Sequence, residues 1–367
     1  MKRGLMLTQI SEFALLNSKK MCLHSQSVAR AVRVLGMKNI RLLLAPAALV
    51  LVAAGWCVVK AQPAAVPGAS TPEAQLAIID TDIGDDIDDA FALALALHSP
   101  ELHLLGVTTA FGDTELRARL LDRYLAAVGR GDIPVAAGVA TPHSNVLTQA
   151  AYARQAPERK HPDAVTFLLD QIKRHPGQIT LIAIGPLFNV QAAIERDPAT
   201  FRKLKRVVIM GGSVYRGYDG GVIGVHRPPE PEWNIDRDPA GARALLASGV
   251  PVFMMPLDST QVRLEKPERE AIFSHGSPLT DQLTLLYHQW LAASAGQAAV
   301  PILFDPVAVT YAIRPDLCPA TPIRIDVDEK GLTRPVNGTP NAQVCLESNE
   351  KGFLELLESR ILGQERK

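Results

Sequence analysis

The chain has no surplus of charge of either sign. Its 38 Lys plus Arg are matched by 38 Asp plus Glu, a formal net charge of +0, and the sequence pI is about 7.1. A protein without a basic excess cannot neutralise a run of phosphates, so nucleic acid is not an expected partner. Cysteine is scarce too, with 4 in 367 residues, and only Cys318 and Cys345 lie beyond the N-terminal region. They could pair in an oxidising compartment, although two cysteines alone do not establish that they meet. No internal repeat is found, and the composition is not that of a disordered chain. With 47% hydrophobic and 21% charged residues, the sequence can bury a full core, and its length fits one large α/β domain or two ordinary ones.

One long apolar run is present. Residues 42–59, LLLAPAALVLVAAGWCVV, carry no charge, follow Lys38 and Arg41, and precede an Ala/Pro-rich stretch. Residues 37–61 therefore read as an export signal with a small-residue cleavage site after Ala61 or, if uncleaved, as a membrane anchor. Either reading places the protein outside the cytoplasm, periplasmic or secreted, and it contacts membrane only if the segment is retained. Met37 stands where a start codon would precede the positively charged front of a signal, so residues 1–36 read as an upstream extension. Lipidation of Cys57 is disfavoured by the bulk of Trp56 before it. Residues 62–75 form a linker, and 76–367 the globular domain.

Within that domain short β-rich runs alternate with stretches long enough for a helix. The runs are 76–80, 102–110, 133–138, 179–185, 205–212 and 250–258. This is the pattern of a mostly parallel central sheet flanked by helices in a single α/β domain with a Rossmann-like core. Ligands of such sheets bind at the carboxyl ends of strands, where Asp80, Asp82, Asp113, Gly185, Gly211-Gly212 and Asp258 fall. Met210, Met254 and Met255 read as packing, and Trp290 as core. Asp258 reads as support for the site or as a helix cap. Residues 215–231 form a Gly/Pro-rich loop able to fold over a site.

The densest chemical signal is IIDTDIGDDIDDAFALALAL, residues 78–97, with Asp80, Asp82, Asp85, Asp86, Asp88 and Asp89. Asp80 and Asp82 would leave the end of the first strand on one side, and Ile83-Gly84 would turn the chain. Asp85, Asp88 and Asp89 would fall in the first turns of a buried helix, where the dipole favours carboxylates. Carboxylates this close repel one another unless a cation neutralises them, and an all-oxygen set points to Ca²⁺ ahead of Mg²⁺. An EF-hand is excluded, since Phe91 stands where its bidentate Glu belongs. A phosphoryl-transferring Asp of the haloacid dehalogenase type is disfavoured by Ile83-Gly84 after the second Asp.

DTDIGDDIDDAFAL resembles the DxDPGxDDxxA signature of the nucleoside hydrolases, with Ile83 for the usual Pro and two extra residues before the final Asp pair. The resemblance continues through TTAFGDTELRARL (108–120), ITLIAIGPLFNVQAAIERDP (179–198), VVIMGGS (207–213), EWNIDRDPAGA (232–242) and FDPVAVTYAIRPDL (304–317). It implies calcium-dependent hydrolysis of a ribonucleoside N-glycosidic bond, with a small-molecule nucleoside as partner and a homo-oligomer, dimer or tetramer, as the assembly. By the same resemblance Asp82 would activate water, and Asp82, Asp89, Asp305 and the Ile184 carbonyl would hold the metal. Asp88, Asp113, Glu232 and Asn234 would bind substrate. The insertion leaves Asp85 or Asp86 open for a role given to Asp88 or Asp89, with Asp80 as a further alternate.

The chain departs from the family at Phe304, where many members carry a His able to protonate the departing base. Phe cannot donate a proton. His226, Tyr287 and His288 are the substitutes the sequence offers. The same departure leaves a non-catalytic calcium- or sugar-binding protein as the rival reading. A metal-dependent phosphohydrolase is a weaker one, since the strand ends lack the Lys and Ser/Thr it requires.

Overall fold

The computed structural model describes residues 74–142, 147–220, 222, 224–293 and 300–363. The extension, the signal or anchor, Cys57 and all but the end of the linker lie outside them. Among the described residues no helix is long and apolar enough to cross a membrane.

The apolar runs form strands β1 (Gln75–Thr81), β2 (Leu102–Thr109), β3 (Val135–Ala137), β4 (Thr180–Ala183), β5 (Arg206–Met210) and β6 (Val252–Met255). Three further short strands, β7 (Ala320–Ile323), β8 (Ile325–Val327) and β9 (Thr333–Pro335), precede β10 (Ala342–Cys345). The eight-stranded sheet has the order β3-β2-β1-β4-β5-β6-β10-β7, parallel except for β7, which runs antiparallel to β10; β8 and β9 pair separately. Strand order reverses at β1, which pairs with β2 on one side and β4 on the other. A crevice opens outside the carboxyl ends at such a reversal.

The helices that matter for the site are α1 (Asp88–Leu97), α2 (Thr114–Ala127), α3 (Ala164–Arg174), α4 (Phe188–Arg196), α5 (Trp233–Arg237), α6 (Pro239–Ala247), α7 (Pro278–Ala293), α8 (Phe304–Ile313) and α9 (Glu350–Ile361). Side-chain alternation along each strand feeds two cores. Ala77, Ile79, Ile182 and Val208 pack on one face with α1, α2, α7, α8 and α9; Ile78, Leu181 and Val207 pack on the other with α3, α4 and α6. α1 and α8 are apolar on every side, almost entirely buried, and packed on each other. A helix of that composition has no solvent face and holds its N-terminus at a fixed depth. Cys318 and Cys345 form a disulfide, Cα atoms 5.6 Å apart, that fastens the segment before β7 to the end of β10.

An acidic cavity at the switch point

β1 ends at Thr81, and the following turn must climb from the sheet to the start of α1. Gly84 makes it with φ +120°, a conformation open to glycine. From outside, the Thr148 hydroxyl donates to the carbonyls of Gly84 (3.1 Å) and Asp85 (2.6 Å), and Gln149 Nε2 donates to that of Asp86 (2.8 Å). From inside, Arg117 of α2 is fully buried. Its Nε donates to Phe111 O (2.8 Å), its Nη1 to the carbonyls of Asp82 and Ile83, and its Nη2 to Asp85 Oδ2 (2.8 Å). One guanidinium thus fixes the acidic turn and supplies it with a permanent positive charge.

The turn borders a cavity of about 370 Å³ lined by Asp82, Asp85, Asp86, Asp88, Asp89, Glu232 and Asp305, together with Thr148, Ile184, Met210, Tyr218, Trp233, Asn234, Trp290 and Phe304. Asp88 and Asp89 come from the first turn of α1 and Asp305 from that of α8, so two positive helix ends face the same point. One carboxylate oxygen from each of these three lies within 4.8 Å of the others. The backbone N–H of Asp305 donates to Asp88 Oδ2 at 3.2 Å, and the Thr81 hydroxyl donates to Asp89. Asp82 reaches the cavity beside Gly185, where any Cβ would stand 2.8 Å from its Oδ1.

Glu232 caps α5, taking the N–H groups of Asn234 (2.9 Å) and Ile235 (3.2 Å) and that of Gly212 (2.9 Å). The Gly211-Gly212 pair therefore serves Glu232, bringing the backbone under its carboxylate. Asn234 Nδ2 donates to the carbonyls of Ile184 (3.3 Å) and Met210 (3.1 Å), which joins α5 to the ends of β4 and β5.

Burial pushes Asp82 up to about 7, with Asp85 adding to the rise and Arg117 opposing it, and pushes Glu232 up to about 7. Asp88, Asp89 and Asp305 are raised well above the carboxylate range, first by burial and then by neighbouring carboxylates: Asp86 and Asp82 act on Asp88, Asp82 and Asp88 on Asp89, and Asp88 and Asp89 on Asp305. This donor set fits a hard divalent cation: all oxygen, buried, converging and short of positive charge. These carboxyls keep protons that the unfolded chain has released between about pH 4 and pH 7. The stability of the cation-free fold therefore falls as pH rises through that window. With a chelator present, the melting temperature at pH 7.5 is expected to lie about 5 °C below that at pH 5 in a thermal scan, and excess divalent cation to remove the difference.

Six expected residues are placed elsewhere. Asp80 turns into the fold, where its Oδ1 accepts from Thr108 Oγ1 (2.5 Å) and Asn189 Nδ2 (2.7 Å), tying β1 to β2 and α4. Asp113 is exposed and caps α2, accepting from the Leu116 N–H at 3.0 Å. His226 and His288 are exposed and Tyr287 packs on Phe273, and none of the three lines the cavity. Asp258 accepts the N–H groups of Val214 and Tyr215 and neither lines the cavity nor caps a helix. Asp85 precedes α1 instead of lying in its first turn. Trp290 both packs with Tyr287 and lines the cavity. Arg117, Thr148, Tyr218 and Trp233 join the site without having been expected from sequence.

Residues 77–355 match the family model described as inosine-uridine preferring nucleoside hydrolase. The chain is 31% identical over 259 residues to uridine nucleosidase 1 of Arabidopsis thaliana, covering 65% of this chain and 74% of that protein. It is 29% identical over 320 residues to the pyrimidine-specific ribonucleoside hydrolase RihA of Citrobacter koseri, covering 77% and 97%. Among solved structures, the plant nucleoside hydrolase PpNRh1 superposes with a TM-score of 0.69 at 27% identity, covering 78% of this chain and 98% of that one.

Proposed function

The chain belongs to the inosine-uridine preferring nucleoside hydrolase family and is an N-glycosyl hydrolase, and from that premise we propose that it cleaves ribonucleosides in a calcium-dependent reaction with Asp82 as general base. The observation that carries this reading is the meeting of Asp88, Asp89 and Asp305 within 4.8 Å in the cavity that Asp82 also lines. Asp82, Asp89, Asp305 and the Ile184 carbonyl would hold the ion. Bound calcium supplies a fixed double positive charge that neutralises the carboxylates and grips oxygen ligands.

The side chains divide the rest of the work. Asp82, which lines the cavity beside Gly185, takes the proton of the attacking water. Asp88 and Glu232 accept from ribose hydroxyls. Asn234, whose amide N–H groups already serve two carbonyls, offers its side-chain oxygen to another. Positive charge developing on the ribosyl ring is stabilised by the surrounding carboxylates. The disulfide between Cys318 and Cys345 supports an exported protein, since such bonds persist in oxidising compartments.

The test is a panel of uridine, cytidine, inosine and adenosine incubated with calcium or with a chelator, following reducing sugar. Ribose release from at least one nucleoside, abolished by the chelator and restored by calcium, is the expected outcome. Release that ignores the chelator would refute the metal dependence, and no release from any nucleoside, those with an N-alkylated base included, would refute the hydrolase reading.

A further inference from the structure

The cavity is more anionic than a metal and a sugar require. Seven carboxylates line it, and among the described residues no Lys, Arg or His does. Arg117 lies behind the wall, bonded to Asp85 and to three carbonyls. Bound, a divalent ion and that guanidinium would balance three of the seven carboxyl groups, and among the described residues no cationic side chain lines the cavity itself. Tyr218, Trp233, Trp290 and Phe304 also line it, and Tyr218 meets Phe304 edge to face with centroids 6.0 Å apart. Anionic surroundings and aromatic faces are the two features that hold an organic cation.

Among the described residues no His, Lys or Arg lines the cavity to protonate a departing base. Glu232, raised by burial to about 7, has both oxygens engaged by three backbone N–H groups. Asp85 is paired with Arg117, and Asp88 and Asp89 accept from Asp305 and Thr81. Phe304 has no proton to give. The Tyr218 oxygen accepts the Trp233 N–H at 2.9 Å, and burial pushes its hydroxyl above the phenol range, which makes it a poor acid. A neutral base leaves as an anion unless it is protonated, whereas a quaternised base needs no acid.

Resting on the hydrolase reading, we propose that the preferred substrates are N-ribosides whose base carries a fixed positive charge, such as an N-alkylated purinium or a pyridinium. The oxygen of water bonds to C1′ as the C1′–N bond breaks, and the electron pair returns to the ring nitrogen and cancels its charge. The base departs neutral, and the proton from water passes through Asp82 to solvent. Ribose, a neutral base and one proton are the products.

Two measurements decide it. With calcium at about pH 6, kcat/KM for 7-methylguanosine is expected to exceed that for guanosine by about 100-fold, the contribution of a missing general acid. Phe304→His, which supplies an acid, is expected to narrow the gap below about 10-fold by raising the guanosine rate. In calorimetry on the calcium-loaded protein, the N-methyl-3-carbamoylpyridinium cation is expected to bind about 10-fold tighter than 3-carbamoylpyridine, a ring of nearly the same shape without charge. Guanosine cleaved within about 3-fold of its methylated form, or equal binding of the two rings, would overturn the proposal while leaving the hydrolase reading intact. Cleavage of uridine or cytidine with neither guanosine nor its methylated form cleaved would likewise overturn the proposal alone; only if no nucleoside at all is cleaved does the hydrolase reading fall, and the calorimetric pair still reads the preference for charge.

Discussion

Asp82→Asn is expected to lower kcat by about 10²–10⁴ with the fold intact, the range lost when a positioned base is removed. The substitution changes one oxygen for an amide and keeps volume, so Gly185 still accommodates the side chain. Arg117 donates to the Asp82 backbone carbonyl, not to its carboxylate, so the turn keeps its anchor. What disappears is the proposed proton acceptor for the attacking water. Measured at saturating calcium, to offset a weakened ligand, kcat should collapse while KM for the nucleoside changes little. Asp113→Asn is the control: its side chain is exposed and caps α2, and kcat should be unaltered. Retention of more than about a tenth of the activity in Asp82→Asn would remove Asp82 from the role of base.

The second large effect is on stability. Arg117→Met is expected to cost about 3 kcal/mol in urea unfolding, mostly through buried carbonyls left without a donor, since its ion-pair partner Asp85 is partly exposed. The loss extends beyond the pair. Three carbonyls, those of Phe111, Asp82 and Ile83, lose their donor in a region without solvent. Phe111 sits at φ 63°, an unfavourable conformation for a bulky residue, and the hydrogen bond from Arg117 Nε helps to hold it there. Arg117→Lys keeps the charge but not the planar fork and should recover only a minor part. A loss below about 1 kcal/mol would show that the turn is held by Thr148 and Gln149 instead.

Much of the fold was legible because six of the seven parallel strands appear as continuous apolar runs. β7, β8, β9 and β10 escaped notice for the opposite reason. They are three or four residues long, Pro322 and Pro335 interrupt them, and several positions face solvent, so no apolar run announces them. At the site the acidic motif located the cavity but not the direction of each side chain. Asp80 sits two residues before Asp82 and turns the other way, into Thr108 and Asn189, residues that only the folded sheet brings alongside. Asp113 occupies a familiar strand end yet spends its carboxylate on its own helix. Arg117 was invisible for a different reason: an Arg within TELRARLL reads as a solvated face until the turn at 82–85 closes over it.

The backbone N–H of Asp305 reaches the carboxylate of Asp88 across 217 positions of chain. A contact of that sequence separation carries a large loop-closure cost and is expected to form after local pairings. A nascent chain released before residue 305 would therefore carry the aspartates of α1 without the third member of the cluster. Under the proposed metal reading, a partly made polypeptide would lack the Asp305 carboxylate and would hold an ion less well than the finished fold.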